Sequence, residues 1–117
     1  KRQNLALKYD ELLQNHSHIQ PLSRDYGSVV PHIYVVRIEG MLNRKSLQEK
    51  LLASGIQTGF HYQPNHLLSM YCDLDAFPLP ETSKVFPELL TLPLHPDITE
   101  HDVGMICSEL QALLLHD

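Results

Sequence analysis

Two imidazoles and one phenol lie within six positions of each other in the sequence, at His61, Tyr62 and His66. They follow an apolar stretch that begins at Ile56, and Pro64 restricts the backbone between them. Such residues at the end of a strand are typical of a ligand-binding loop, because an imidazole can donate a hydrogen bond to a phosphate or carboxylate. They are also typical of packing residues whose polar tips reach solvent. The residues alone leave both interpretations open.

A metal site is a second chemistry that this part of the sequence could support. Its ligands would be His61, His66, Cys72, Asp73 and Asp75, but two histidines five positions apart do not have the spacing of a helical or zinc-finger ligand pair. A nucleophile formed by Cys72 and His66 lacks any recognisable motif around the cysteine. The sequence also has neither a glycine-rich phosphate loop nor a G-x-S-x-G motif. We therefore expect neither a bound metal nor a cysteine nucleophile.

The composition limits the class of protein. The 117 residues suffice for one domain, and their net charge of −5 with scattered basic residues argues against a nucleic-acid partner. No apolar run approaches the ~20 residues needed to cross a membrane. Cys72 and Cys107 form no CxxC motif, so we expect a reduced, cytoplasmic setting without a disulfide framework. Because the chain begins at Lys1 without a Met, we expect it to be an excised piece or a processed product of a longer protein.

The pattern of apolar residues predicts an α+β fold. Helices are predicted over residues 3–15, 43–54, 80–86 and 99–114, with a helical turn over 66–70, and strands over 32–39, 56–62 and 89–92. Short loops around the helix between the first two strands predict that these strands run parallel, with the third strand between them and antiparallel to both. We expect a small antiparallel or mixed three-stranded sheet with helices packed on one face.

Several residues mark the ends of these helices. Asn43 is a predicted N-cap, and Gly55 stands where a left-handed residue commonly ends a helix. Pro80 is suited to the first position of the short helix. Thr99 and Asp102 approximate a capping box at the start of the last helix.

The two predicted strands before residue 63 each carry an unusual feature. The strand over 32–39 is apolar on both faces, so we expect Ile33 and Val35 to be covered in the complete protein and partly exposed in this chain. In the second strand, Gly59 either weakens the strand or lets another group approach closely. Strand alternation there would turn His61 and Tyr62 to opposite faces.

Several short motifs in this order resemble one enzyme family. They are residues 32–37, Arg44 with Leu47 and Leu51, residues 55–66, residues 92–96, Ile98-Thr99 and Asp102-Val103. Together they resemble the C-terminal part of the DegT/DnrJ/EryC1/StrS aminotransferases over nearly the whole chain. The resemblance implies a parent enzyme that uses pyridoxal phosphate to move an amino group, usually from glutamate, onto a keto sugar attached to a nucleotide.

The resemblance also implies a place for this chain within that enzyme. Residues 1–117 would be the small C-terminal domain of the aspartate-aminotransferase fold, which closes over the active site of a parent that is usually a homodimer. His61, Tyr62 and His66 would line the substrate side. The large domain, with the phosphate cup and the lysine that binds the cofactor, would lie upstream, so we expect this chain alone to bind no pyridoxal phosphate and to be inactive. Leu68 stands where related sequences often have Gln, which leaves the sugar undefined.

A second interpretation comes from a different functional class. The family includes members that act as regulators, and the same fold could serve as a non-catalytic module that binds a protein partner through an uncovered sheet face. The sequence encoded upstream of Lys1 would distinguish the two.

Overall fold

The computed structural model describes residues 1–22, 24–41, 43–71 and 79–115. In this part of the chain the helices are α1 (Arg2–Leu13), α2 (Arg44–Ala53), α3 (Pro80–Val85) and α4 (Glu100–Leu115). The strands are β1 (Ile19–Pro21), β2 (Tyr34–Ile38) and β3 (Leu89–Leu92), and two short 3₁₀ helices cover Asn65–Leu67 and Phe86–Glu88. No described helix has the length and apolar character that crossing a membrane requires.

The sheet is antiparallel throughout, with β2 in the centre. β1 pairs with β2 so that Ile19 lies opposite Ile38, and β2 pairs with β3 so that Tyr34 lies opposite Leu92. The predictions of β2 and β3 are confirmed, β3 with the same bounds. β1 was not predicted, because three residues that end in a proline carry almost no local strand signal.

The predicted strand over residues 56–62 is wrong. Only Gly59 pairs, with Thr91 of β3, and the residues on either side do not continue the ladder. Glycine has no side chain to pack on the sheet, and the next residue, Phe60, contacts Arg44 of α2. The direction of the pairing is as predicted, since β3 is antiparallel both to β2 and to the chain at Gly59.

Helices α1, α2 and α4 pack on one face of the sheet, as predicted. The buried core contains Leu5, Ala6, Tyr9 and Leu13 of α1, Leu47 and Leu51 of α2, and Val103, Ile106, Cys107 and Leu110 of α4. The sheet contributes Ile19, Tyr34, Val36, Ile38, Leu90 and Leu92 to the same core. Alternate residues of β2 and β3 thus face the helices, which leaves the residues between them for the opposite face.

The opposite face of the sheet is less exposed than predicted. Val35 and Thr91 lie directly across from each other, and their exposed fractions are only 7% and 6%. The backbone N–H and C=O of Thr91 both bond to Gly59 and not to Val35. Thr91 and Val35 are therefore a non-hydrogen-bonded pair, in which the two side chains lie close together. The expectation of exposure is therefore wrong at Val35, while Ile33 is half-buried.

The helix ends follow the predicted capping. The Asn43 side chain accepts a hydrogen bond from the Ser46 backbone N–H, and Gly55 has φ +78°. Asp102 accepts from both the backbone N–H and the hydroxyl of Thr99, at 2.7 Å each, and these hydrogen bonds lower the pKa of its carboxyl. The Asp102 N–H donates back to the Thr99 hydroxyl, which completes the capping box.

Two stacked tyrosines join α1 to the sheet. The rings of Tyr9 and Tyr34 lie 4.5 Å apart between centroids, at an interplanar angle of 20°. The Tyr9 hydroxyl donates to the Pro93 carbonyl at 2.9 Å, and the Tyr34 hydroxyl donates to Asp10 at 2.5 Å. Burial raises the pKa of both phenols, so they remain protonated hydrogen-bond donors at neutral pH. The helix and the end of β3 are therefore fixed by polar as well as apolar contacts.

We predict that Tyr9→Phe lowers the free energy of unfolding by about 1–3 kcal/mol, because it leaves the part-buried Pro93 carbonyl without its donor. Urea unfolding followed by circular dichroism measures this change. The control is Tyr62→Phe, since Tyr62 is 72% exposed and should change stability by less than about 0.5 kcal/mol. Equal stability of the two variants would contradict this role of Tyr9.

Candidate functional site

The candidate site is built on residues 59–62, here called the edge segment, which lies along the free side of β3. Gly59 donates its N–H to the Thr91 carbonyl at 3.1 Å, and Thr91 donates its N–H to the Gly59 carbonyl at 2.8 Å. A Cβ atom at Gly59 would lie 3.2 Å from Cε1 of His61, closer than an ordinary contact. The close approach proposed for this glycine is therefore made by the imidazole two residues later.

His61 is held in place by β3. Its Nδ1 lies 3.0 Å from the hydroxyl oxygen of Thr91, whose side chain is buried, while His61 itself is exposed. Either atom can be the donor, depending on the tautomer of the ring. Since Thr91 engages Nδ1, the ring offers Nε2 to a ligand, as a donor or an acceptor according to that tautomer.

Tyr62 lies beside His61, and both residues are exposed. The peptide bond between the two residues is cis, and their rings meet edge to face with centroids 5.0 Å apart. The prediction that they face opposite ways is wrong, because the chain has left the strand conformation after Gly59 and alternation no longer applies. An imidazole and a phenol are thus presented together at one edge of the sheet.

His66 occupies a separate place on the same loop. It lies in the 3₁₀ helix Asn65–Leu67, and its Nε2 is 3.0 Å from the hydroxyl oxygen of Ser83 on α3. Its Nδ1 is buried and has no hydrogen-bond partner within the described residues. In this part of the chain, no hydrogen bond or ring contact joins His66 to His61 or Tyr62. The structure therefore pairs two of the three predicted residues and places the third against α3.

Arg44 belongs to this region and was not predicted as a site residue. Its guanidinium carbon lies 4.4 Å from the ring centroids of both Phe60 and Phe86, and these two rings meet edge to face at 5.7 Å. One terminal nitrogen donates to the carbonyls of Phe86 at 2.7 Å and Leu89 at 3.1 Å. Burial lowers the pKa of the guanidinium, which is half-buried. Arg44 thus joins α2 to the edge segment and to the entry of β3.

One signal in the sequence could have identified Arg44. It is the first residue of α2, where the helix dipole disfavours a cation, and no acidic residue lies in that first turn. A cation at the unfavourable end of a helix indicates a tertiary contact that outweighs the local cost. The identity of the aromatic partners could not be inferred, because Phe60 and Phe86 lie 16 and 42 positions away.

The five lysines of the chain are the candidates for a covalent cofactor anchor. Lys8 donates to Glu11 at 2.8 Å, and this hydrogen bond raises the pKa of the amine. The other lysines, Lys1, Lys45, Lys50 and Lys84, are exposed. An amine that forms a Schiff base needs a lowered pKa, which a lysine acquires by burial or beside another cation. Of the five amines, four belong to exposed residues and that of Lys8 is ion-paired with Glu11.

The structure also tests the candidate metal site in part. No group of three or more His, Cys, Asp or Glu side chains within the described ranges could hold a metal ion. Three of the five predicted ligands, Cys72, Asp73 and Asp75, lie outside those ranges.

The chain matches a known family and several solved structures over almost its whole length. The model of the DegT/DnrJ/EryC1/StrS aminotransferase family matches residues 1–111. Spr1654 of Streptococcus pneumoniae, named as a sugar aminotransferase and solved in PMP and PLP forms, is 28% identical with a TM-score of 0.84. The match to its PMP form covers 96% of this chain and 29% of that protein.

Two further structures extend this similarity. The aminotransferase TlmJ of Streptoalloteichus hindustanus is 27% identical with a TM-score of 0.80, over 98% of this chain and 31% of its own length. PseC of Helicobacter pylori, an aminotransferase involved in the biosynthesis of pseudoaminic acid, has a TM-score of 0.88 over 99% of this chain and 32% of its own. At 22% identity, PseC shows a shared fold only. The chain thus spans less than a third of the length of each of these proteins.

We predict that Thr91→Val frees the ring of His61 while preserving the fold. Valine keeps the branched shape but removes the hydroxyl, so the free energy of unfolding should change by less than about 1.5 kcal/mol. The ¹⁵N chemical shifts of the His61 ring should move towards those of a solvated imidazole. The ring of exposed His101 on α4 serves as the control. Unchanged shifts at His61 would show that Thr91 does not orient it.

Proposed function

Because the chain belongs to the DegT/DnrJ/EryC1/StrS aminotransferase family, we propose that it is the small, C-terminal, substrate-covering domain of a sugar aminotransferase of the aspartate-aminotransferase fold. The observation that carries this proposal is the family match over residues 1–111. Two structures at 27% and 28% identity, both named as aminotransferases, support the same function. The large domain would account for the part of those proteins that this chain does not match.

The proposed reaction moves an amino group from glutamate to a keto sugar linked to a nucleotide. Glutamate leaves as the 2-oxo acid, and the sugar carbonyl becomes an amine. Pyridoxal phosphate, when bound, supplies the electron sink that this exchange requires. The five lysines described above do not fit as its covalent anchor, so the anchor and the phosphate site are assigned to the large domain. The chain alone is then inactive.

Residues of the edge segment would contact the substrate. His61 and Tyr62 are exposed side by side, and the hydrogen bond to Thr91 restricts the imidazole before any ligand arrives. A group held in this way loses little conformational entropy on binding. Ring nitrogens and a phenol can hydrogen bond to sugar hydroxyls or phosphate oxygens, which are the polar groups of a nucleotide-linked sugar.

His66 would make a further contact from the other part of the loop. Buried polar atoms are normally hydrogen bonded, and its Nδ1 has no partner within the described residues, so we infer that it binds a group that those residues do not include. Substrate or a residue of the large domain could provide that group. A phosphate would be bound more strongly by the protonated ring, because the hydrogen bond would then be charge-assisted.

The remaining parts of the proposal concern the setting of the parent enzyme. We propose a homodimer in the cytoplasm, with the dimer contacts made mainly by the large domains. The net charge of −5 disfavours a nucleic-acid partner. The sequence encoded upstream of Lys1 tests the arrangement directly, since a non-catalytic module would lack a large domain with a cofactor-binding lysine.

We predict that this chain, mixed with pyridoxal phosphate and then treated with borohydride, shows no stoichiometric labelling of one lysine. The reason is that Lys8 is ion-paired with Glu11 and the other amines are exposed, so none is a favoured nucleophile. Peptide mapping by mass spectrometry measures the labelled fraction at each lysine. Full modification of a single lysine would overturn the assignment of the anchor to another domain.

We predict that His66→Ala in the complete enzyme lowers kcat/KM for the keto sugar roughly ten- to a hundredfold, which corresponds to the loss of one hydrogen bond to a charged group. The absorbance of the bound cofactor should not change. His101→Ala removes an exposed histidine on α4 and should leave kcat/KM unaltered. If His66→Ala retains full efficiency with both the amino donor and the sugar, His66 is a surface residue and not a substrate ligand.

A further inference from the structure

Arg44 contacts both parts of the chain that hold the candidate site. Its guanidinium lies against Phe60, which stands between Gly59 and His61, and against Phe86 in the 3₁₀ helix before β3. We propose that Arg44 is a positioning residue that fixes the edge segment relative to β3 and thereby sets the orientation of His61 and Tyr62. The link to substrate use rests on the proposed function, whereas the positioning itself does not.

The two segments that Arg44 joins carry complementary parts of the site. The edge segment contains His61 and Tyr62, and the segment after α3 leads to Thr91, the partner of His61. Within the described residues, one backbone pair joins them, Gly59 with Thr91, and the side-chain contacts of His61 with Thr91 and of Phe60 with Phe86 add to it. A single pair at the edge of a sheet opens easily, because no neighbouring ladder bonds support it. The guanidinium adds a further attachment, because it lies against Phe60 of one segment and Phe86 of the other.

The geometry of this attachment requires an arginine. A planar guanidinium can lie against two rings and still donate in its own plane to carbonyl oxygens, here those of Phe86 and Leu89. A lysine at this position could donate to a carbonyl but could not stack in the same way. Arg44 is also the first residue of α2, where the helix dipole disfavours a positive charge. Its contact with the two rings must therefore outweigh this local cost.

A second side chain of α2 supports the same arrangement. Gln48, one turn further along, donates to the Thr58 carbonyl at 3.3 Å, immediately before the edge segment. Lys45, between the two, points elsewhere: its side chain is 87% exposed and lies 3.9 Å from Glu49. Lys45 is therefore a matched control, a cation on the same helical turn without the aromatic contacts.

Hydrogen exchange of backbone amides tests the proposal in this chain. In Arg44→Met, the amides of Gly59 and Thr91 should exchange at least about tenfold faster, because their mutual hydrogen bonds open more often once the guanidinium no longer holds Phe60 and Phe86. The amide of Val36, in the central strand, should exchange at its original rate. Lys45→Met should change none of the three. Phe60→Leu, at a residue 41% exposed, removes one ring of the contact and should give a smaller selective increase.

The outcomes separate positioning from general stability. The proposal is overturned if Arg44→Met and Phe60→Leu both accelerate the exchange of the Gly59, Thr91 and Val36 amides equally. It is also overturned if neither variant accelerates the exchange of any of them. Arg44→Lys keeps the positive charge but removes the planar guanidinium. If the amides of Gly59 and Thr91 exchange as slowly in this variant as in the original chain, the proposal is also overturned. If Arg44→Met does not fold, Phe60→Leu and Arg44→Lys decide the question.

A kinetic measurement in the complete enzyme tests the link to substrate. Arg44→Met should raise KM for the keto sugar roughly tenfold or more with a smaller change in kcat, because the contacts it misplaces bind the substrate. Unchanged KM together with selective amide exchange would overturn the link to substrate. Absence of aminotransferase activity in the unmodified protein would instead overturn the proposed function and leave the exchange result valid.

Discussion

The pairing of Gly59 with Thr91 is the contact on which the candidate site depends. Two backbone hydrogen bonds, of 3.1 and 2.8 Å, bring the chain after α2 to the free edge of β3. Without them, His61 would have no buried hydroxyl to engage, and Phe60 would not lie over Arg44. A glycine is suited to this position, since the imidazole of His61 lies where a larger residue would place its side chain. One pair thus determines where the loop begins and which way its rings point.

β3 serves both the core and the site because its side chains alternate. Leu90 and Leu92 face the helices and are almost fully buried, while Thr91 between them faces the opposite side and holds His61. The strand is in turn fixed at both ends. The Tyr9 hydroxyl bonds to the Pro93 carbonyl just after it, and Arg44 bonds to the carbonyl of Leu89 at its start. A rigid scaffold under an exposed loop is the usual arrangement for binding residues.

The sequence predicted the parts of this fold that local physics determines. Asn43, Gly55 and the Thr99–Asp102 capping box mark helix ends by side-chain and backbone preferences that act over a few residues. β1 was missed and the strand over residues 56–62 was wrong, because both depend on partners distant in the chain. Three residues at Ile19–Pro21 form a strand only through pairing with β2. Residues 56–62 do not form one, although Ile56, Phe60 and Tyr62 are residue types that favour strands.

The sequence identified the candidate site residues but not their arrangement. Histidines and a tyrosine at these positions were typical of a binding loop and equally of packing residues with exposed tips, and the structure places His61 and Tyr62 in contact. The partners of these residues were not predictable: Thr91 lies 30 positions from His61, and Ser83 lies 17 positions from His66. The sequence showed Arg44 only as part of a family motif, since its contacts depend on Phe60 and Phe86 meeting in space. Long-range side-chain contacts of this kind are set by the tertiary fold.

The most direct test is a crystal structure of the complete protein with its cofactor and the aminated nucleotide-linked sugar bound. The account predicts that residues 59–66 face the bound sugar, with a ring nitrogen of His61 or His66, or the phenol of Tyr62, within about 3.2 Å of a sugar or phosphate oxygen. A structure in which this loop faces away from the bound sugar, with all three side chains directed into solvent, would contradict it.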